Sequence, residues 1–224
     1  MEIFEAIQKR HSVRNYTDQK IEAPVRSALK QEIDSCNRES GLNIQLIPDE
    51  PEAFSSFLAH YGRFSGVRNY IALVGAKTAD LSEKIGYYGE RIVLKAVTLG
   101  LDTCWVAMSF GKRKSESNCL IRRGEKLVCV IAVGYGQTHG AAHKNKPIKA
   151  LYKAEAQAPD WFLAGVRAAS LAPTAMNRQK FQFQLLGANS VRAVSAGRLY
   201  AKIDLGIVKY HFEIGAGKEN FHWI

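Results

Sequence analysis

Long hydrophobic runs are missing from this 224-residue chain: no stretch approaches the ~18 uninterrupted apolar residues of a membrane span. The opening Met1-Glu2-Ile3-Phe4-Glu5 lacks the basic start and apolar run of a secretory signal. No membrane partner and a cytoplasmic location are therefore expected. Cysteine is scarce, and Cys36, Cys104, Cys119 and Cys129 form neither a C-x-x-C pair nor a metal-ligand spacing, so they read as reduced thiols. His139 and His143 stand four apart, but Gly140 between them and the lack of a third ligand nearby argue against a metal site. Gly134-x-Gly136 lacks the third glycine and following helix of a dinucleotide-binding turn. No helix-turn-helix pattern and no aromatic–basic interleaving point to nucleic acid.

What the chain does have is an excess of base. Thirty-one Lys and Arg against 21 Asp and Glu give a net charge of +10, with a pI near 9.5. This favours an anionic partner, and a phosphorylated cofactor satisfies it as well as nucleic acid does. A content of 46% hydrophobic and 23% charged residues is that of a globular protein with one substantial core, or two half-size units sharing one.

Apolar spacing places a short helix at Ile3, Phe4 and Ile7 and a second from about Ala23 to Asn37. A longer helix runs from Leu81 to Leu99, with Asp80 and Glu83 at capping-box spacing and Gly100-Leu101 as a glycine terminus. Two more helices are expected, around Trp161 to Ser170 and from Leu205 to Ala216. Strands are expected at 43–47, 70–74, 103–107, 127–133 and 181–186, with a basic loop from Gly134 to Lys149. The mixture is α+β. One echo runs through it. Val25-Arg26-Ser27-Ala28, Asn37-Arg38 and Ile44-Gln45-Leu46 match Val166-Arg167-Ala168-Ala169, Asn177-Arg178 and Phe183-Gln184-Leu185 at nearly equal gaps, as a duplicated unit would.

Three segments carry chemistry. If extended, Arg10-His11-Ser12-Val13-Arg14 puts two guanidinium groups and a hydroxyl on one face, a grip for phosphate and hydroxyl groups; a solvated basic edge is the plainer reading of the pentapeptide alone. Pro173 to Gln179 offers the short hydrogen-bonding side chains of Thr174, Asn177 and Gln179 from a proline-pinned loop, which alone is also what an ordinary loop looks like. The backbone from Val106 to Phe110, after the strand that contains Cys104-Trp105, can present N–H groups to a ligand.

Together, R-x-S-x-R, A-P-T-x-x-N-x-Q, the helix–LGL–x-T-C-W passage and K-x-K-P at Lys144 to Pro147 span residues 10 to 179 and resemble the nitroreductase family, in its single-chain branch first described from thermophilic bacteria. The resemblance implies a nitroreductase-like α+β fold with a central, mostly antiparallel or mixed sheet and surrounding helices. It further implies two pseudo-symmetric half-units, residues 1–152 and 153–224, that share one core and mimic the family dimer within a monomer. It implies FMN, reduced by NADH or NADPH and reoxidised by nitroaromatics, quinones or related acceptors in ping-pong fashion through flavin N5, with no acid–base residue required. Carried over by position, Arg10, His11, Ser12 and Arg14 hold FMN, Lys144 and Lys146 its phosphate, and Pro173, Thr174 and Asn177 reach it from the second half. Ala107 and Met108 lie against N5. Three positions depart from the pattern: the A-P-T turn comes in the second half, Lys180 replaces a proline, and Ala107-Met108 replaces a small pair. A flavin-binding sensor or store without turnover is the alternative.

Overall fold

The computed structural model describes residues 1–55, 62–197 and 200–224. Helix α1 (Ile3–Lys9) leads into an extended segment, then α2 (Ala23–Ser40). Helix α2 outruns its expected end by a turn because Gly41 is the first residue able to take the left-handed conformation, at φ 72°, where its N–H bonds to the Asn37 carbonyl at 2.9 Å. Strand β1 (Gln45–Ile47) starts later than its alternation predicts. The Asn37 side chain takes both backbone groups of Ile44, at 2.8 Å each, so that residue is tied to the helix rather than to the sheet.

Strands β2 (Asn69–Ala76), β3 (Asp102–Val106) and β4 (Glu125–Gly134) complete a fully antiparallel sheet in the order β1-β2-β4-β3. Between β2 and β3 lies α3 (Leu81–Thr98). It ends as expected on Gly100 (φ 81°), whose N–H bonds to Val97 O while Leu101 N–H bonds to Ala96 O, both at 3.0 Å. The capping box at its start does not form. Asp80 has helical backbone angles (φ −94°, ψ −5°) rather than the extended ones of a capping residue, and the two carboxylates pair instead with lysines, Asp80 with Lys84 at 2.9 Å and Glu83 with Lys209 at 2.5 Å. A short helix α4 (Lys112–Ser117), unseen in the apolar pattern, carries the basic run Lys112, Arg113 and Lys114.

The expected single central sheet is corrected to two. Strands β5 (Tyr152–Ala154), β6 (Phe181–Leu186), β7 (Ser190–Ser195) and β8 (His222–Trp223) form a second, mixed sheet in chain order. The first sheet cannot extend into it past β3, since the chain at Ser12 lies there, bridging Thr103 in parallel. Helices α5 (Asp160–Ser170) and α6 (Ala201–Ala216) pack on each other, and α6 packs along α3. One core cluster runs from Leu29 and Ile71 through Ile92 to Phe162, Phe183 and Phe212, drawing on both sheets and all the long helices.

Candidate functional site

A cavity of about 320 Å³ opens between the β3 side of the first sheet and the start of α6, lined by Ser12 and Arg14, by Cys104 to Ser109, by Pro173 to Met176, and by Tyr200, Ile203, Asp204 and Ile207 of the last helix and its approach. Six of the residues singled out from sequence thus share one wall: Ser12, Arg14, Ala107, Met108, Pro173 and Thr174. Their convergence follows from the fold. The Val13 N–H bonds to Thr103 O at 3.0 Å, which lays the arginine segment along β3 with Ser12 and Arg14 on its cavity side. Strand β3 ends at Val106, so Ala107 and Met108 are free of the ladder at the cavity edge. The Arg14 guanidinium stands 6.0 Å from the ring centroid of Phe64, another lining residue.

The turn opposite is built under strain. Met176, Asn177 and Gln179 have φ of 53°, 51° and 46°, conformations that cost non-glycine residues of order 1–3 kcal/mol each. Gln179, only 2% exposed, holds them there. Its Nε2 donates to Lys144 O and to Asn177 Oδ1 (2.8 Å each), its Oε1 accepts the Lys146 N–H (2.9 Å), and its own N–H reaches Thr174 Oγ1 (3.0 Å). Asn177 also donates to Lys144 O, at 2.9 Å. The basic loop is therefore clamped to the turn at Lys144 and Lys146. At its other end it touches the arginine segment, where Gly140 (φ 74°) lies so close that a Cβ would meet His11 Cβ at 2.9 Å. None of His11, Lys144, Lys146 and Asn177 lines the cavity, although His11 and Asn177 flank the lining residues Ser12 and Met176, and Lys144 and Lys146 are bonded to that turn. The Lys146 ammonium donates to Gln179 O at 2.9 Å, and Lys144 is exposed.

Arg10 is elsewhere. Expected to hold FMN beside Ser12 and Arg14, it is 4% exposed and does not line the cavity. Its Nε lies 3.9 Å from the fully buried Glu90 carboxylate and makes no hydrogen bond. Glu90 accepts the Trp105 Nε1–H at 2.8 Å and faces His211 Nε2 at 2.8 Å. Because His211 Nδ1 stands 3.2 Å from the carbonyl of Ala168, which can only accept, that nitrogen carries a proton. The network fixes Trp105, a cavity wall, from behind.

Burial first, and then the Arg10 and His143 charges, hold the His11 pKa below its ordinary value; burial does the same to His143. Burial also raises Cys104, against the opposing pull of Arg14. Asp204 is pushed up to about 6 by burial, the Ala175 N–H on its carboxylate opposing the shift. Glu90, Asp204 and the clamp role of Gln179 were not singled out in sequence. The first two sit within apolar helix patterns, where a lone carboxylate carries no spacing signal.

A family profile described as "Putative TM nitroreductase" matches residues 2–216. Among solved structures, a putative nitroreductase of Thermotoga maritima is similar at 25% identity, covering 98% of this chain and 85% of that one, with a TM-score of 0.66. A putative nitroreductase in complex with FMN from Desulfovibrio desulfuricans shares 15% identity over 67% of this chain and 95% of its own, at a TM-score of 0.53. A putative NADH dehydrogenase/NAD(P)H nitroreductase of Bacteroides thetaiotaomicron shares 18% over 66% and 95%, at 0.51. No curated protein matches the sequence.

Proposed function

Because the chain belongs to the TM nitroreductase family, we propose that it is an FMN-dependent oxidoreductase that takes electrons from NADH or NADPH and passes them to a nitroaromatic, quinone or related electron-poor acceptor. The observation that carries this reading is the single cavity in which Ser12 and Arg14, the backbone after β3 and the Pro173–Thr174 turn meet from opposite ends of the chain. FMN, when bound, supplies two-electron hydride chemistry.

The residues fit that group. Val106, Ile203, Ile207 and Phe64 give an apolar wall suited to a flat ring, while Arg14, Ser12 and Thr174 offer donors for its polar edge and ribityl hydroxyls. The backbone at Ala107 and Met108 is the segment assigned to the ring's redox-active edge. Lys144 and Lys146 bring positive charge for a phosphate, with Lys144 the more available ammonium, while His11 and Asn177 offer neutral hydrogen-bonding groups beside them. Arg10 supports this arrangement from beneath, through Glu90 and Trp105. Arg14 also stabilises negative charge that develops on the ring's polar edge. Since donor and acceptor share one cavity, they must take turns in it, which is ping-pong kinetics.

One chain is proposed to imitate the family's dimer. Supporting this, α3 and α6 cross with reciprocal contacts: a Cβ on Gly86 would collide with Ile203 O, and a Cβ on Gly206 with Glu83 O. Each glycine thus meets the carbonyl three residues before the other, the pattern of a two-fold axis. A functional monomer in the cytoplasm, with no nucleic-acid or membrane partner, is proposed with it. The test is steady-state oxidation of NADH and NADPH by the FMN-loaded protein with a quinone or nitroaromatic. Parallel double-reciprocal lines are expected; a flavin-loaded protein that oxidises neither nicotinamide is a binding protein instead.

A further inference from the structure

Among the described residues, Asp204 is the one carboxylate that lines the cavity. It stands in the first turn of α6 and its Oδ1 accepts the Ala175 N–H at 3.0 Å, which fixes the side chain and leaves Oδ2 without a hydrogen bond among those residues. Among the described residues no cation pairs with it. The groups that share its cavity are Arg14 from the arginine segment, Cys104 of β3, Cys129 of β4 and Tyr200 just before α6. On the neighbouring α3, Glu83 is engaged by Lys209 and Lys84 by Asp80. Lys202, two residues before Asp204, donates to Ala79 O. A buried carboxyl with one N–H partner and no counter-ion keeps its proton close to neutrality, and Asp204 is pushed up to about 6. Such a group can both hold and release a proton at working pH.

We propose that Asp204 is the acid that delivers the second proton to the acceptor. The inference rests on the FMN reading above. A quinone becomes a hydroquinone by gaining a hydride and a proton. Bound, reduced FMN would supply the hydride. The proton leaves Asp204 Oδ2, whose O–H bond breaks as an O–H bond forms on the acceptor oxygen, and water then reprotonates the carboxylate. The Ala175 contact gives the pre-positioning: it ties the acid to the same turn that closes the cavity at Pro173 and Thr174.

Asp204→Asn tests this, since the amide oxygen keeps an acceptor for Ala175. FMN titration comes first; if neither wild type nor variant binds FMN, the functional reading fails, and the proposal with it. With FMN bound to both, infrared difference spectra across about pH 5 to 8 should show a protonated-carboxyl band in wild type that is absent from the variant. Protein reduced with dithionite is then mixed with benzoquinone or with ferricyanide, which takes electrons without a proton. Reoxidation by benzoquinone should slow roughly 100-fold in the variant, the scale of a lost general acid, while reoxidation by ferricyanide keeps its rate. Equal slowing of both, unchanged benzoquinone rates, or no titrating band that the substitution removes would overturn the assignment. Asp204→Ser serves the same test should the Asn variant fail to fold.

Discussion

Removing the Glu90 carboxylate should be among the most damaging single changes in this chain. Glu90 has no exposed surface; it receives the Trp105 indole N–H, faces His211 at 2.8 Å and is the counter-charge of the buried Arg10 guanidinium. Burial lowers the Arg10 pKa and Glu90 opposes that shift. Glu90→Ala therefore leaves a buried cation uncompensated and two polar groups short of a partner, a loss of about 3–5 kcal/mol. For a chain of this length each kcal/mol lowers Tm by about 2–4 °C, so the fall should be roughly 6–20 °C. Glu90→Gln keeps an acceptor but not the charge and should lose about 1.5–3 kcal/mol. Because Arg10 and Glu90 share one network, Arg10→Ala added to Glu90→Ala should cost less than the sum of the single changes. Urea denaturation of the four variants against wild type gives the cycle. A Glu90→Ala loss under about 1 kcal/mol, or strict additivity with Arg10→Ala, would refute the view of this cluster as a buried charge balance.

Other consequences are as direct. Arg14→Ala should weaken FMN binding by about 1.5–3 kcal/mol, roughly 10- to 150-fold, with the fold intact because the side chain is exposed; flavin fluorescence titration measures it. Lys144→Ala should weaken FMN more than riboflavin, which has no phosphate, and equal weakening would place Lys144 away from that group. Asp204, whose folded pKa is raised from 3.8 to about 6, contributes stability that is fully present below the lower value and lost as pH rises through the upper one. Asp204→Asn should thus be more stable than wild type by about 1–3 kcal/mol near pH 8 and no more stable near pH 4, as read by thermal melts at both. Gly206→Ala should cost about 1–3 kcal/mol in urea unfolding, because the added methyl meets the backbone of α3 at Glu83 and Tyr87.

Long periodic segments were legible in the sequence because their signals are local. The α3 stop at Gly100-Leu101 is written in two adjacent residues, and β6 in a strict alternation whose alternate residues are buried. Some of the failures turned on partners distant in sequence. Period two places Arg10, Ser12 and Arg14 on one face, but whether each is covered depends on partners such as Glu90, eighty positions on from Arg10, so the pattern does not show that Arg10 is buried away from the cavity. In place of the capping box, Asp80 and Glu83 pair with lysines, one of them on α6. Strands β5 and β8, of three and two residues, are too short for any period, and β7 interleaves Ser and Arg with Val. Hence the second sheet went unseen. Gln179 stood out as one of three polar residues on a loop, but only its burial reveals it as the clamp between turn and basic loop.

The central claim is that one chain builds one flavin site from both its ends. Titrating the purified protein with FMN, with the chain's mass in solution measured on the same sample, tests it most directly. The prediction is one FMN per chain on a monomer, with oxidised-flavin absorbance bands, and weaker binding from either Arg14→Ala or Thr174→Ala alone. No flavin bound, two FMN per chain, or binding only in a dimer whose site mixes chains, so that Arg14→Ala and Thr174→Ala proteins complement each other on mixing, would contradict it.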